Sequence, residues 1–139
     1  MSLSQLYQAR ILEHNRCPHN HFELDQASHS GHGSDALCGD DLWIWLQISD
    51  GIVEAASWTG EACAITTASA SMLTDWLAGR QVAQLGPAYR RFECLLDDLD
   101  APDDPELGEF NALRAVGRFP SRKRNALLPW KTALAACRT

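Results

Sequence analysis

Cys38, in Leu37-Cys38-Gly39-Asp40, and Cys63, in Gly60-Glu61-Ala62-Cys63-Ala64-Ile65, are the residues of this chain best suited to chemistry. A thiolate is both a nucleophile and a soft metal ligand, and Asp40 adds a carboxylate close to the first of them. The three together read as a metal or sulfur site with part of its ligand set. Their spacing is too long for a local Cys-x-x-Cys knuckle, so the two thiols act together only if the chain between them reverses direction.

The intervening sequence predicts that reversal. Leu42, Ile44, Leu46 and Ile48 alternate with Trp43, Trp45 and Gln47 at the period of two that marks a strand. Asp50-Gly51 supplies the left-handed backbone of a tight turn, and Ile52 to Trp58 returns as the partner strand. A hairpin over 42–58 therefore leaves Cys38 and Cys63 at the same edge. Cys63 then opens a helix in which Ile65, Ala68, Met72 and Trp76 recur at helical spacing, with Gly79 as its C-terminal stop. In the first turn, the positive end of the helix and its unpaired N–H groups stabilise a thiolate. A lone cysteine there would read as a small buried hydrophobe; pairing with Cys38 and Asp40 makes Cys63 a nucleophile or ligand instead.

The remaining elements follow from the same rules. Leu3, Leu6, Tyr7 and Ile11 trace one helical stripe, predicted to be buried and to stop near Cys17-Pro18, because proline disfavours helical geometry in the residue before it. The stretch 22–37, with Gly31, Gly33 and several serines, reads as a mobile loop or a short edge strand. Eight of the 18 acidic residues fall between Glu93 and Glu109, which suggests a solvated loop between helices. Seven of the 12 basic residues fall between Arg114 and Arg138, a charge asymmetry that suits a solvated helix face or an acidic partner. Pro129 removes an N–H that could bond the Asn125 carbonyl, so the last helix is expected to restart near that point. The expected architecture is α+β: one domain over 1–139, with a small antiparallel sheet made of the 42–58 hairpin and an edge strand, packed against several helices.

Composition narrows the function. At 139 residues and 45% hydrophobic, the chain is long enough to bury a core without metal or disulfide staples. A net charge of −6 argues against a nucleic-acid surface, which needs clustered positive charge. No run approaches the roughly 20 apolar residues of a membrane span, and the first residues lack a basic-then-apolar signal pattern. Five cysteines, an odd number, fit a reducing cytoplasm better than a disulfide scaffold. Cys17 and Cys94 read as an ordinary loop and helix residue. There is no phosphate-binding glycine loop and no Ser-His-Asp pattern, and Asp40 and Asp41, adjacent in a strand, point to opposite faces.

The run from Trp58-Thr59-Gly60-Glu61-Ala62-Cys63-Ala64-Ile65-Thr66-Thr67 to Ser71-Met72, together with Cys38-Gly39-Asp40, resembles the iron–sulfur cluster scaffold family that includes IscU, SufU and the amino-terminal domain of NifU. Glu13-His14-Asn15-Arg16-Cys17-Pro18, Phe119-Pro120-Ser121-Arg122 and Trp130-Lys131 extend the resemblance over nearly the whole chain. The length between the Cys63 helix and Phe119, and Arg124 where IscU has histidine, are similar to the SufU branch. That resemblance implies a sulfur-transfer partner rather than a classical enzyme, working with a SufS-like cysteine desulfurase and downstream cluster acceptors. Cys63 and Cys38 become candidate persulfide acceptors, and Cys38, Asp40 and Cys63 candidate ligands for an iron–sulfur cluster or zinc. In such a site Asp40 would be the labile ligand.

The family pattern Phe-Pro-x-Arg-x-Lys-Cys places a third cysteine where this chain has Asn125. A neutral amide oxygen is a poor substitute for sulfur, so metal affinity should be weakened. Cys137, His29 or His32 are candidate replacement ligands, and a docked desulfurase is another source of coordination. The alternative is a diverged member without metal chemistry, acting as a regulatory or protein-binding module.

Overall fold

Two residues of left-handed backbone, Asp50 (φ 51°) and Gly51 (φ 75°), turn the central hairpin. The computed structural model describes residues 2–139. Its strands are β1 (His29–Asp35), β2 (Asp40–Ser49) and β3 (Ile52–Glu61), in one antiparallel sheet of order β1-β2-β3. Its helices are α1 (Leu3–Arg16), α2 (Ala64–Leu77), α3 (Leu85–Asp97) and α4 (Pro120–Ala136). A 3-10 segment, Pro105–Arg118, kinked at Gly108, joins the last two. This is the α+β arrangement expected from the sequence, with a longer hairpin. Pairing runs from Asp41↔Glu61 to Ser49↔Ile52, with one irregularity at Gln47/Ile48.

Leu42, Ile44 and Leu46 have no exposed surface and form the inner face of β2, beside Ala56 and Trp58 of β3. Helices α2 and α4 cover this face. Behind them lies an aromatic cluster in which fully buried Trp130 meets Phe110 at 4.7 Å, Phe92 at 5.3 Å and Trp76 at 5.5 Å between ring centroids. Burial of such rings contributes about 2 to 3 kcal/mol each.

The edge strand expected before Cys38 is β1, seven residues long, whereas three other expectations need correction. The glycines of β1 serve packing rather than mobility. A Cβ at Gly31 would lie 2.6 Å from the Thr132 carbonyl oxygen, and one at Gly33 would lie 2.1 Å from Thr132 Oγ1, so only glycine lets β1 approach α4 this closely. The α1 stripe is not buried: Leu3 and Leu6 are exposed, and the one buried residue of α1 is His14. The acidic stretch is mostly helical, since its start belongs to α3 and its end to the 3-10 segment, where Leu107 and Phe110 anchor it in the core. Helix α4 does not restart; it runs through Pro129, and the Asn125 carbonyl freed by that proline lies 3.4 Å from the Thr66 hydroxyl.

Candidate functional site

Cys38 sits in the short turn between β1 and β2, held by its backbone N–H bond to the Asp35 carbonyl at 3.2 Å. Arg124 of α4 bonds the Asp35 side chain at 3.3 Å, which ties this turn to the last helix. Asp40 is the first residue of β2 and is only 2% exposed. Its neighbour Asp41 is exposed and meets His32, so the two carboxylates do point to opposite faces. Cys63 lies at the N-cap of α2, two residues after the end of β3. The hairpin thus delivers Cys38, Asp40 and Cys63 to one end of the sheet, where α4 adds Asn125. Cys38, Cys63, Ile65, Arg122 and Asn125 line a single pocket of about 260 Å³.

Behind the thiols, Asp40 is a hydrogen-bond hub. Its Oδ1 accepts the Cys63 backbone N–H at 2.7 Å. Its Oδ2 accepts the Thr66 hydroxyl at 2.6 Å and the Asn125 side-chain amide at 2.9 Å, with the Cys63 thiol at 3.8 Å. A carboxylate has only lone pairs to offer, so Asn125 must present its NH2 group here. These charge-assisted bonds compensate the desolvation of a buried carboxylate. Thr66 also lies 3.2 Å from Cys63 Sγ, making it the residue that connects the thiol, the carboxylate and α4. Sequence reasoning passed over Thr66; its position three residues after the N-cap, facing back along the helix, was the available signal.

The donor set does not fit a tetrahedral zinc ion. Such a site takes four sulfur, nitrogen or oxygen lone pairs, whereas here both Asp40 oxygens are engaged and Asn125 turns protons toward the carboxylate. Among the described residues no three His, Cys, Asp or Glu side chains gather closely enough to hold a metal ion. None of the replacement candidates lines the pocket. His29 meets Ser28, His32 meets Asp41 and Trp43, and Cys137 is half-buried at the end of α4, where burial pushes its thiol upward in pKa. Cys17 and Cys94 are exposed and do not line this pocket. A larger hollow of about 700 Å³, between α3 and residues 98–105, contains Cys94 but neither thiol of the candidate site.

A second buried polar group lies between α1 and α2. Ser71 Oγ accepts the His19 backbone N–H at 2.7 Å and lies 2.7 Å from His14 Nδ1. His14 Nε2 then donates to Glu109 at 3.0 Å. This arrangement holds the neutral Nε2–H tautomer. Burial, with the nearby His19 and Arg10 charges, lowers the His14 pKa below its ordinary value.

The chain is 32% identical over 130 residues to the zinc-dependent sulfurtransferase SufU of Bacillus subtilis (strain 168), covering 94% of this chain and 88% of that protein. It is 30% identical over 128 residues to the iron–sulfur cluster assembly scaffold protein IscU of Streptococcus pyogenes serotype M1, covering 92% and 80% respectively. A crystal structure described as a putative iron–sulfur cluster assembly scaffold protein for the SUF system, from Fervidobacterium islandicum AW-1, shares the fold with a TM-score of 0.85 at 21% identity, over 97% of this chain and 98% of that one. With residues 6–126 matched by its model, the chain belongs to the NifU-like N-terminal domain family.

Proposed function

We propose that this protein serves iron–sulfur cluster assembly by accepting persulfide sulfur from a cysteine desulfurase on Cys63 and passing it toward cluster acceptors. The observation that carries this reading is the pocket that Cys63 and Cys38 line together, with Arg122 at its edge. The relatives named above, a sulfurtransferase and a cluster scaffold, support the same chemistry. Two thiols available for exchange suit a reducing compartment, so we assign the cytoplasm.

The transfer is a thiol exchange. The Cys63 thiolate attacks the terminal sulfur of the donor persulfide, a new S–S bond forms on Cys63, and the donor S–S bond breaks to release the donor thiolate. One sulfur atom moves and there is no net oxidation. Cys63 presents this thiolate from the N-cap of α2. Arg122 supplies a positive charge to the persulfide that results. Cys38, in the turn across the pocket, is the second acceptor: its thiolate attacks the terminal sulfur, a new S–S bond forms on Cys38, and the Cys63 S–S bond breaks to release the Cys63 thiolate. Iron and sulfide, as cargo, would meet the same two thiols. A cluster held by protein thiolates alone takes four of them, so sulfur acceptance is the stronger reading.

The test is labelling with a cysteine desulfurase and sulfur-labelled cysteine, followed by mass spectrometry of the unreduced protein. The expected product gains one sulfur atom, on Cys63. Cys63→Ser should reduce labelling to background, and Cys38→Ala should reduce it less. Full labelling of Cys63→Ser would sink the assignment of Cys63. No labelling of the wild-type chain would favour the protein-binding module instead.

A further inference from the structure

We infer that this pocket carries its sulfur without a metal ion, because the Asn125 amide occupies the place at Asp40 that a cation would take. The inference rests on the sulfur-acceptor reading above. A buried carboxylate beside two thiols needs positive charge or proton donors against it. Here it has proton donors: the Cys63 N–H on one oxygen, and the Thr66 hydroxyl and the Asn125 NH2 on the other. These three donors offset the cost of burying the carboxylate, so it does not need a metal ion against it.

Asn125 cannot convert into a ligand at low cost. It is 4% exposed, and turning its amide to offer the oxygen would set that oxygen against the Asp40 carboxylate while removing a charge-assisted bond. A zinc ion entering the pocket would find two thiols and no third protein group free to coordinate, and so would be held weakly. The consequence for sulfur transfer is direct. Cys63 and Cys38 stay unligated, so their lone pairs are available to the incoming persulfide. One of the similar proteins is described as zinc-dependent, and this chain would differ from it at that step.

The test uses the full chain, prepared without a metal-binding tag, and zinc as the probe. Zinc affinity is measured by competition with a chromophoric chelator, and sulfur labelling by a desulfurase is measured with and without chelator. For the wild type we expect weak zinc binding and labelling indifferent to chelator. Asn125→Cys supplies a third thiolate and should tighten zinc by at least about 10-fold, the scale on which single groups around a metal tune its affinity. Its labelling should become chelator-sensitive. Asn125→Asp, which keeps the shape but sets a second carboxylate against Asp40, should also gain zinc affinity, and circular dichroism establishes that each variant is folded. Tight, near-stoichiometric zinc in the wild type, or wild-type labelling lost on chelation, overturns the inference while leaving sulfur acceptance intact. Absent wild-type labelling under both conditions defeats sulfur acceptance, and the zinc competition still decides whether Asn125 excludes the metal.

Discussion

Removing the Asp40 carboxylate would strand the Cys63 N–H, the Thr66 hydroxyl and the Asn125 amide in a buried space. Asp40→Ala should therefore cost about 3 kcal/mol or more, since each unsatisfied buried donor costs roughly 1 to 3. Urea denaturation measures this, and an unchanged midpoint would mean that the carboxylate does not organise the start of α2. His14 predicts a pH dependence. It is faced by Arg10 and Glu13 on α1, His19 in the following loop, Asp75 on α2 and Glu109 on the 3-10 segment. Its folded pKa lies below its unfolded one, so its contribution to stability is complete above about pH 6.5 and is lost as pH falls toward the lower folded value. Protonation puts a hydrogen on Nδ1, so the Ser71 hydroxyl must turn its proton away. The urea midpoint should drop on acidification through this window, and His14→Gln should flatten that slope.

Packing between elements fixes where Cys38 stands, because the turn that carries it hangs from β1, and β1 is held against α4. The two glycines of that contact make different predictions. At Gly33 the obstacle is a side-chain oxygen, Thr132 Oγ1; at Gly31 it is the Thr132 backbone carbonyl and the Ala136 backbone. Each substitution by alanine should cost about 1 to 3 kcal/mol from overpacking. Thr132→Ala should restore much of the Gly33→Ala loss and little of the Gly31→Ala loss, as read from denaturation midpoints of the single and double variants. Equal rescue of both would mean that the strand shifts as a body. The Arg124–Asp35 bond is a surface contact and orients the turn more than it stabilises it.

For the whole molecule, the core is closed without the site. Leu42, Ile44, Leu46, Trp58, Phe92, Phe110 and Trp130 are essentially inaccessible to solvent. A chain of this length buries about two thirds of its unfolded surface. The thermal midpoint of the wild type should therefore be the same with and without chelator, in contrast to small domains whose folding energy is metal-binding energy. A chelator-induced drop in calorimetry would show that a metal contributes to the fold. Among the described residues no helix is long and apolar enough to cross a membrane.

The sequence by itself determined the hairpin, its Asp50-Gly51 turn, the helix after Cys63 and the family resemblance, since these depend on local periodicity and short motifs. It also identified Cys38, Asp40 and Cys63 as neighbours, because a hairpin with known ends has little freedom in where it sends its flanks. Tertiary structure alone decided what Asp40 does. Its partners come from β2, α2 and α4, and no local pattern says that an amide far along the chain will turn its protons toward that carboxylate. The same holds for Gly31 and Gly33, which look like loop glycines until α4 lies against them, and for His14, whose tautomer is set by a serine and a glutamate from two other elements. Long-range packing assigns the hydrogen bonds, and those bonds decide which atoms of the site remain free to react.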